Sequence, residues 1–212
     1  SRGDTPAAVN LLERATSLLP ADAHDRLALL PELGRVLTEI GSLDRAEEIL
    51  TEAVNAAEGT EERSIRTTAL LDLAVLALYA HPDAERGAQD LADAAEEAVE
   101  VFEASEDHAA LAHALDQLAY VHWTNCRYAA MEDVLLRGLA HAALAGDHDE
   151  QARIRSSLAR CTLLGPMPVE PAIARCRSIL EEARGNPFHE SIAGVMVAGL
   201  EAMRGRFVEA QG

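Results

Sequence analysis

Apolar residues recur every three or four positions along most of this chain, and alternation with a period of two is missing. Ala84, Ala88, Leu91, Ala95, Ala98/Val99 and Phe102 show the pattern well. That spacing puts them on one face of a helix and predicts a helix from about Asp83 to Ser105. Runs of Val, Ile, Thr and aromatic residues, which favour strands, are absent. Polar links break the periodic stretches at Glu58–Glu62, Ala104–His108, Ala145–Asp149 and Arg184–Pro187. The pattern predicts an all-α chain of about 9–11 helices.

The helices fall into repeats. The clearest unit is Leu30, Leu33, Gly34 and Leu37, then Gly41, then Ala46, Leu50 and Ala53. Gly34 and Ala46 would let two antiparallel helices cross closely, with the leucines filling the space around the crossing. Looser copies follow. Leu70, Leu73 and Ala74 begin one. Leu115, Leu118 and Ala119 begin another, with Met131, Leu135 and Gly138 on its second helix and Cys126 in the place of Gly41. Leu158-Ala159 and Val197-Ala198 begin two more, the last followed by Gly205 and Ala210. Ala8, Leu12, Ala15 and Pro20 fit a lone second helix at the front. The small residues Gly34, Ala74, Ala119, Ala159 and Ala198 are spaced by 40, 45, 40 and 39.

This unit resembles the tetratricopeptide repeat (TPR), whose large–large–small–large first helix, glycine turn and small–large–small second helix it matches throughout. The family's usual period is ~34 residues, and HEAT-like repeats have ~40. The period alone therefore favours HEAT, whereas the Gly/Ala crossings and the Gly41 and Gly205 turns favour the tetratricopeptide reading. Either family implies a right-handed α-solenoid of antiparallel hairpins, each burying its apolar face against its neighbours. The expected organisation is a single domain over residues 1–212, with repeats near 6–20 (a half), 27–58, 67–105, 112–146, 152–185 and 191–212 (truncated).

Two features strain the pattern. Pro31 costs roughly 3 kcal/mol inside a helix but is harmless in a first turn, so either the helix starts near Leu30 or it kinks there. Gly165-Pro166-Met167-Pro168-Val169-Glu170-Pro171 reads as a joint that ends one helix and starts another, with Pro171 near the first turn. A start at Ser1-Arg2-Gly3-Asp4 without Met, and a helix that only opens at Gly205–Ala210, suggest a piece of a longer protein. The stretches Leu163-Leu164-Gly165-Pro166, Glu181-Glu182-Ala183-Arg184-Gly185-Asn186-Pro187 and Glu201-Ala202-Met203-Arg204-Gly205-Arg206-Phe207 are similar to the C-terminal helical-repeat regions of large actinobacterial regulators. In those proteins a nucleotide cyclase or winged-helix module and an AAA-type ATPase precede the repeats. The resemblance implies the sensing or scaffolding end of a multidomain regulator.

Composition narrows the function. All 18 basic residues are Arg, against 36 acidic ones, for a net charge of −18. That balance argues against a phosphate-backbone binder. No apolar run reaches the ~18 residues of a membrane span, and no charged-then-apolar leader opens the chain. The three cysteines, Cys126, Cys161 and Cys176, make no disulfide framework, so a reducing cytoplasm is the expected compartment. Cys161 and Cys176 have apolar neighbours and read as buried small hydrophobes. His122 and Cys126 share a helical face but lack further ligands at zinc spacing. No phosphate loop, nucleophile elbow, HExxH or GxGxxG motif occurs. No catalytic residue, metal or cofactor is expected. Asp90, Asp93, Glu97 and Glu100 read as one solvated acidic face.

Binding is better sought in the groove that the resemblance implies, lined by the first helices. In that family, residues six and three before the small residue, and one, four and five after it, face the groove. The middle copy places His113, Asp116, Tyr120, Trp123 and Thr124 there, and the next Arg153, Ser156, Arg160, Leu163 and Leu164. Earlier copies contribute Arg35 and Glu39, and Leu71 and Tyr79. The chain's only Trp thus joins Tyr and Arg, the residue types that anchor protein interfaces, and a forked guanidinium suits a carboxylate. The candidate partner-binding set is Arg35, Glu39, Asp116, Tyr120, Trp123, Arg153 and Arg160, with a peptide, a protein or a neighbouring domain as partner. The competing reading has the aromatics filling the core and the arginines pairing with Glu39 or Asp116. The same face also suits a small-molecule sensor, signalled by a closed cavity around Trp123, Leu163 and Met203; an oligomerisation scaffold would instead use apolar surface at Ile192, Val195, Val197 and Met203. The family's carboxylate clamp uses Lys, which this chain lacks.

Overall fold

The computed structural model describes residues 5–60, 62–80 and 86–208. Among them are ten helices and no strand: α1 Thr5–Leu18, α2 His24–Glu39, α3 Leu43–Ala57, α4 Arg63–Ala80, α5 Gly87–Ser105, α6 His108–Thr124, α7 Tyr128–Ala145, α8 His148–Leu164, α9 Val169–Glu182 and α10 Pro187–Met203. They divide into two compact units, Ser1–Ala110 and Leu111–Gly212. The expectations for Ser1–Asp4, Glu61, Asp83, Ala84 and Ala210 lie outside the described residues.

In the first unit α2 packs on α1, α3 and α4, while α3 and α5 both pack on α4. Its core is apolar, with Leu27, Leu30, Leu33, Leu37, Ala46, Leu50, Ala53, Ala69 and Leu76 all buried. The close crossing expected at Gly34 is present: a Cβ there would lie 2.5 Å from Leu50 Cγ and Cδ2. No other residue fits without moving Leu50.

α2 starts at His24, almost two turns before the Leu30 start considered from the sequence, and runs on through a buried Pro31. Proline removes a backbone donor and crowds the preceding turn. Burial of Leu27, Leu30, Leu33 and Leu37 along one face outweighs that cost. The register of α4 is less regular, since Leu71 is completely buried while Leu70, Leu73 and Ala74 are only half-buried. On α5, Leu91, Ala95, Ala98 and Phe102 are buried as the periodicity predicts, but Ala88 is exposed in the first turn. Asp90, Asp93, Glu97 and Glu100 are all exposed.

In the second unit α8 packs on α7, α9 and α10, and α9 on α10. Side-chain bonds tie α6 to α8 through Ser157 and Asp116, and α7 to α9 through Glu132 and Arg175. So α6, α8 and α10 form one layer of first helices, with α7 and α9 behind. Gly138 of α7 sits where a Cβ would meet Leu115 and Ile154 at 3.3 Å, marking another close crossing. Cys126 stands in the place of Gly41 structurally as well. Both residues are left-handed, at φ 55° and 79°. Both turns carry the same closing bonds: Ser42 N–H to Leu37 O at 2.9 Å, and Arg127 N–H to His122 O at 2.8 Å. Proline shapes the α8–α9 joint, where Pro168 caps α9 and Pro171 lies in its first turn.

Candidate functional site

The expected groove offsets sort by burial in a regular way. Residues one and four after the small residue are half-buried in all five copies: Arg35 and Thr38, Val75 and Leu78, Tyr120 and Trp123, Arg160 and Leu163, Gly199 and Ala202. The residue five after it is exposed each time: Glu39, Tyr79, Thr124, Leu164 and Met203. In each copy these positions lie on the partly exposed side of their own helix. The residue three before behaves differently. Pro31, Leu71 and Ser156 are buried, Asp116 is half-buried, and only Val195 is exposed. In the second unit this position meets the neighbouring first helix: Asp116 accepts a hydrogen bond from Ser157 Oγ at 3.4 Å, and Ser156 Oγ lies 2.7 Å from His189 Nδ1. It serves the helix–helix seam more than the open face.

In the first unit, Arg35 bonds Glu32 one turn back on its own helix and Glu39 is exposed on the same helix. In the second, Tyr120 and Trp123 lie one turn apart on α6, with ring centroids 5.4 Å apart and planes tilted by 53°. Both are half-buried, so neither is a sealed core residue. Arg153 lies 3.5 Å from Glu150, its neighbour one turn earlier. Arg160 is half-buried, and among the described residues no carboxylate reaches it within ion-pair distance.

Behind this face lies a polar seam that the sequence did not reveal. Glu150 is only 4% exposed and its Oε1 has no hydrogen-bond donor among the described residues. It is the third residue of α8, whose cap is Asp147; the Asp147 carboxylate accepts from Glu150 N–H at 2.9 Å. A Glu at this position ordinarily reaches back to the cap; this one is buried instead, with Arg153 as its ion-pair partner. Burial pushes the Asp116 carboxyl up to about 6, and the Glu150 carboxylate pushes the same way. Arg153, His113 and the Ser157 hydroxyl oppose the rise by favouring the charged form. On α10, burial lowers the proton affinity of His189 and the Arg153 and Arg160 cations add to that, with Asp149 pulling the other way.

A cavity of about 30 Å³ lies between α8, α9 and α10, beside Ser156, His189 and the Arg155–Glu182 ion pair. That is room for about one or two waters. Further along, Glu201 is 1% exposed and bonds Arg177 at 2.7 Å, with Arg204 at 3.5 Å.

Cys161 and Cys176 are buried, and burial pushes both thiols up to about 11, with the Glu132 carboxylate assisting at Cys161. Such thiols are poor nucleophiles at neutral pH. Among the described residues, no three His, Cys, Asp or Glu side chains converge to hold a metal ion. Nor is any described helix long and apolar enough to cross a membrane.

No family profile and no curated protein matches the chain at the level of sequence. Solved structures do match its fold. One is a putative kinesin light chain of Podosopora anserina with nearly identical TPR-like repeats, at 18% identity, TM-score 0.64, covering 88% of this chain and 90% of that one. BtubC from P. vanneervenii aligns over 99% of this chain and 85% of its own, at 16% identity and TM-score 0.67. A signal transduction ATPase with numerous domains and a tetratricopeptide repeat sensor, from Pyrococcus horikoshii, aligns over 99% of this chain but 38% of its own, at 12% identity and TM-score 0.58. With the Gly34 crossing, the repeated turns and the layer of first helices, these likenesses identify the fold as an all-α, TPR-like helical repeat.

Proposed function

We propose that this chain is a non-catalytic protein-interaction module whose open first-helix face receives an extended peptide or a neighbouring domain. The observation that carries the reading is the half-buried Tyr120–Trp123 pair on α6, in a layer where Arg160 of α8 has no described carboxylate partner. Half-buried aromatics supply contact area at low entropic cost, and an uncommitted guanidinium can take a ligand carboxylate in two hydrogen bonds. Asp116 and Arg153 flank these groups, and Arg35 and Glu39 occupy the same open-face offsets in the first unit. Helical-repeat stacks present such extended binding surfaces generally.

The setting we infer is the regulatory repeat region of a multidomain bacterial signalling or transcriptional regulator, acting in the cytoplasm. Similarity to the actinobacterial repeat regions supports this setting. So does the ATPase that carries a tetratricopeptide sensor, of which this chain matches 38%. The water-sized cavity beside His189 gives no support to a small-molecule pocket.

Trp123 is the chain's only Trp, so its emission tests the reading directly. Trp-free decapeptide pools ending in a free carboxylate should give a saturable shift. Amidated pools should bind roughly tenfold more weakly, the order of a charge-assisted hydrogen bond, and Arg160→Ala should erase that difference. Equal response to both pools, or none to either, would sink it.

Self-association is a second reading, favoured by Val195, Met203, Phe207 and Val208, each more than 60% exposed on α10 or just beyond it. Large apolar side chains left exposed in this number are candidates for a contact site. Sedimentation should then show a dimer that Met203→Glu weakens.

A further inference from the structure

We propose that the chain associates with itself head to tail, the exposed apolar side of α1 in one copy docking on α10 of a second copy. This deepens the self-association reading above and rests on it, by naming the surface that α10 meets. The two helices are the halves of one hairpin. α1 has the register of a second helix: Ala8, Leu12 and Ala15 repeat the spacing of Ala46, Leu50 and Ala53 on α3. α10 has the register of a first helix, with Gly205 following Ala198 at the distance at which Gly41 follows Gly34. Its turn is that of the α2–α3 hairpin. Gly205 is left-handed at φ 78°, against 79° at Gly41. Arg206 N–H bonds Glu201 O at 3.0 Å, as Ser42 N–H bonds Leu37 O at 2.9 Å.

What the α2–α3 hairpin covers, these two helices leave open. Leu43, Ile49 and Ala56 of α3 pack against the core of the first unit. Leu11 and Leu18 of α1, the counterparts of Ile49 and Ala56, are 65% and 80% exposed. Phe207, just beyond α10, is the counterpart of Leu43 and is 65% exposed. On α10 itself, Gly194, Val197 and Ala198 are half-buried where Leu30, Leu33 and Gly34 of α2 are buried. A Cβ at Gly194 would meet nothing within 4 Å, whereas one at Gly34 would run into Leu50. The helices that pack on α10, α8 and α9, both precede it. Among the described residues none follows it as α3 follows α2.

A helical-repeat stack needs a polar outer face where it meets water, and neither helix supplies one. The α2–α3 crossing gives the template for covering them: a leucine of the second helix lies over the small residue of the first. Leu12 and Ala198 hold those two places here. The same chain thus carries both the missing second helix and the missing first, so a second copy completes each. Leu11, Leu18, Val195 and Phe207 lose water when the two faces meet, and burying one side chain of this size favours association roughly ten- to hundredfold. The contact joins two different surfaces and is therefore heterologous.

Sedimentation velocity of two surface variants tests it. Leu18→Glu blocks the α1 face and Val195→Glu the α10 face; both residues are exposed, so the helices should persist, which circular dichroism checks. Wild type should associate as concentration rises, and each variant alone at least about tenfold more weakly. An equal mixture of the two should give a one-to-one dimer, because the first keeps its α10 face and the second its α1 face. A mixture no more associated than its components overturns the proposal. So does a Leu18→Glu chain that associates as well as wild type, which leaves self-association through α10 alone standing. Wild type that is monomeric at every concentration overturns both readings. Leu11→Glu and Met203→Glu serve the same two faces if either first variant fails to fold. The same run on the longest natural chain containing these residues separates a second copy from a segment of the protein's own as the occupant of α10: a monomer there overturns the proposal.

Discussion

The two units bury different kinds of group. In the first, the α2–α3 crossing is closed by Leu30, Leu33, Leu37 and Leu50 around Gly34, and Asp72 is its only described buried carboxylate. In the second, the α6–α8–α10 layer seals Glu150, Glu201, His113 and Ser156 among its leucines and alanines. An apolar crossing needs only shape, and its cost of ordering is offset by area removed from water. A polar seam needs every donor and acceptor matched, and a miss is expensive. Glu150 is such a miss, while Glu201 is satisfied by Arg177 and Arg204.

This contrast can be broken by mutation. The largest expected effect is at the apolar crossing: Leu50→Ala should cost about 2–5 kcal/mol in urea unfolding, and Gly34→Ala in that background should cost less than alone, because the clash is gone. Additive effects would mean that the two side chains do not share the crossing. Next is Glu201→Ala, which removes the charge-assisted bonds to Arg177 and Arg204, worth about 1.5–3 kcal/mol. The exposure of Arg177 should place this at the low end. A loss below about 1 kcal/mol would show that the second unit's polar groups carry no structural weight.

Two gains should be smaller. Pro31→Ala restores a backbone donor inside α2 and should stabilise by about 1–3 kcal/mol, measured as a shifted urea midpoint with unchanged slope. No gain would mean that the buried proline ring supplies packing that Ala cannot. Cys126→Gly relieves a left-handed non-glycine residue and should add up to about 1 kcal/mol, less the greater freedom of the unfolded glycine. Loss of stability would show that the Cys126 side chain holds the turn.

How far the sequence could be read follows the same division. The Gly34 crossing, the Gly41-like turn at Cys126 and the α8–α9 proline joint were legible because each rests on residues close together in the chain and on steric rules that hold in any context. The start of α2 was not, since Pro31 signals a first turn unless leucine burial on both sides overrides it. The inward Glu150 was illegible for a related reason. Asp147-x-x-Glu150 spells a capping box, and only tertiary packing around α8 decides that the carboxylate is buried. The Ser156–His189 bond links residues 33 apart with no local pattern.

By itself, then, the amino-acid order determined the all-α class, the helical hairpins and the buried small residues Gly34, Ala119 and Ala159, because helical period and close approach are written in neighbouring positions. Which charged groups are sealed together was decided only by the tertiary structure. Burial and charge–charge energy depend on what a third helix brings within a few ångströms, and spacing along one helix does not encode that.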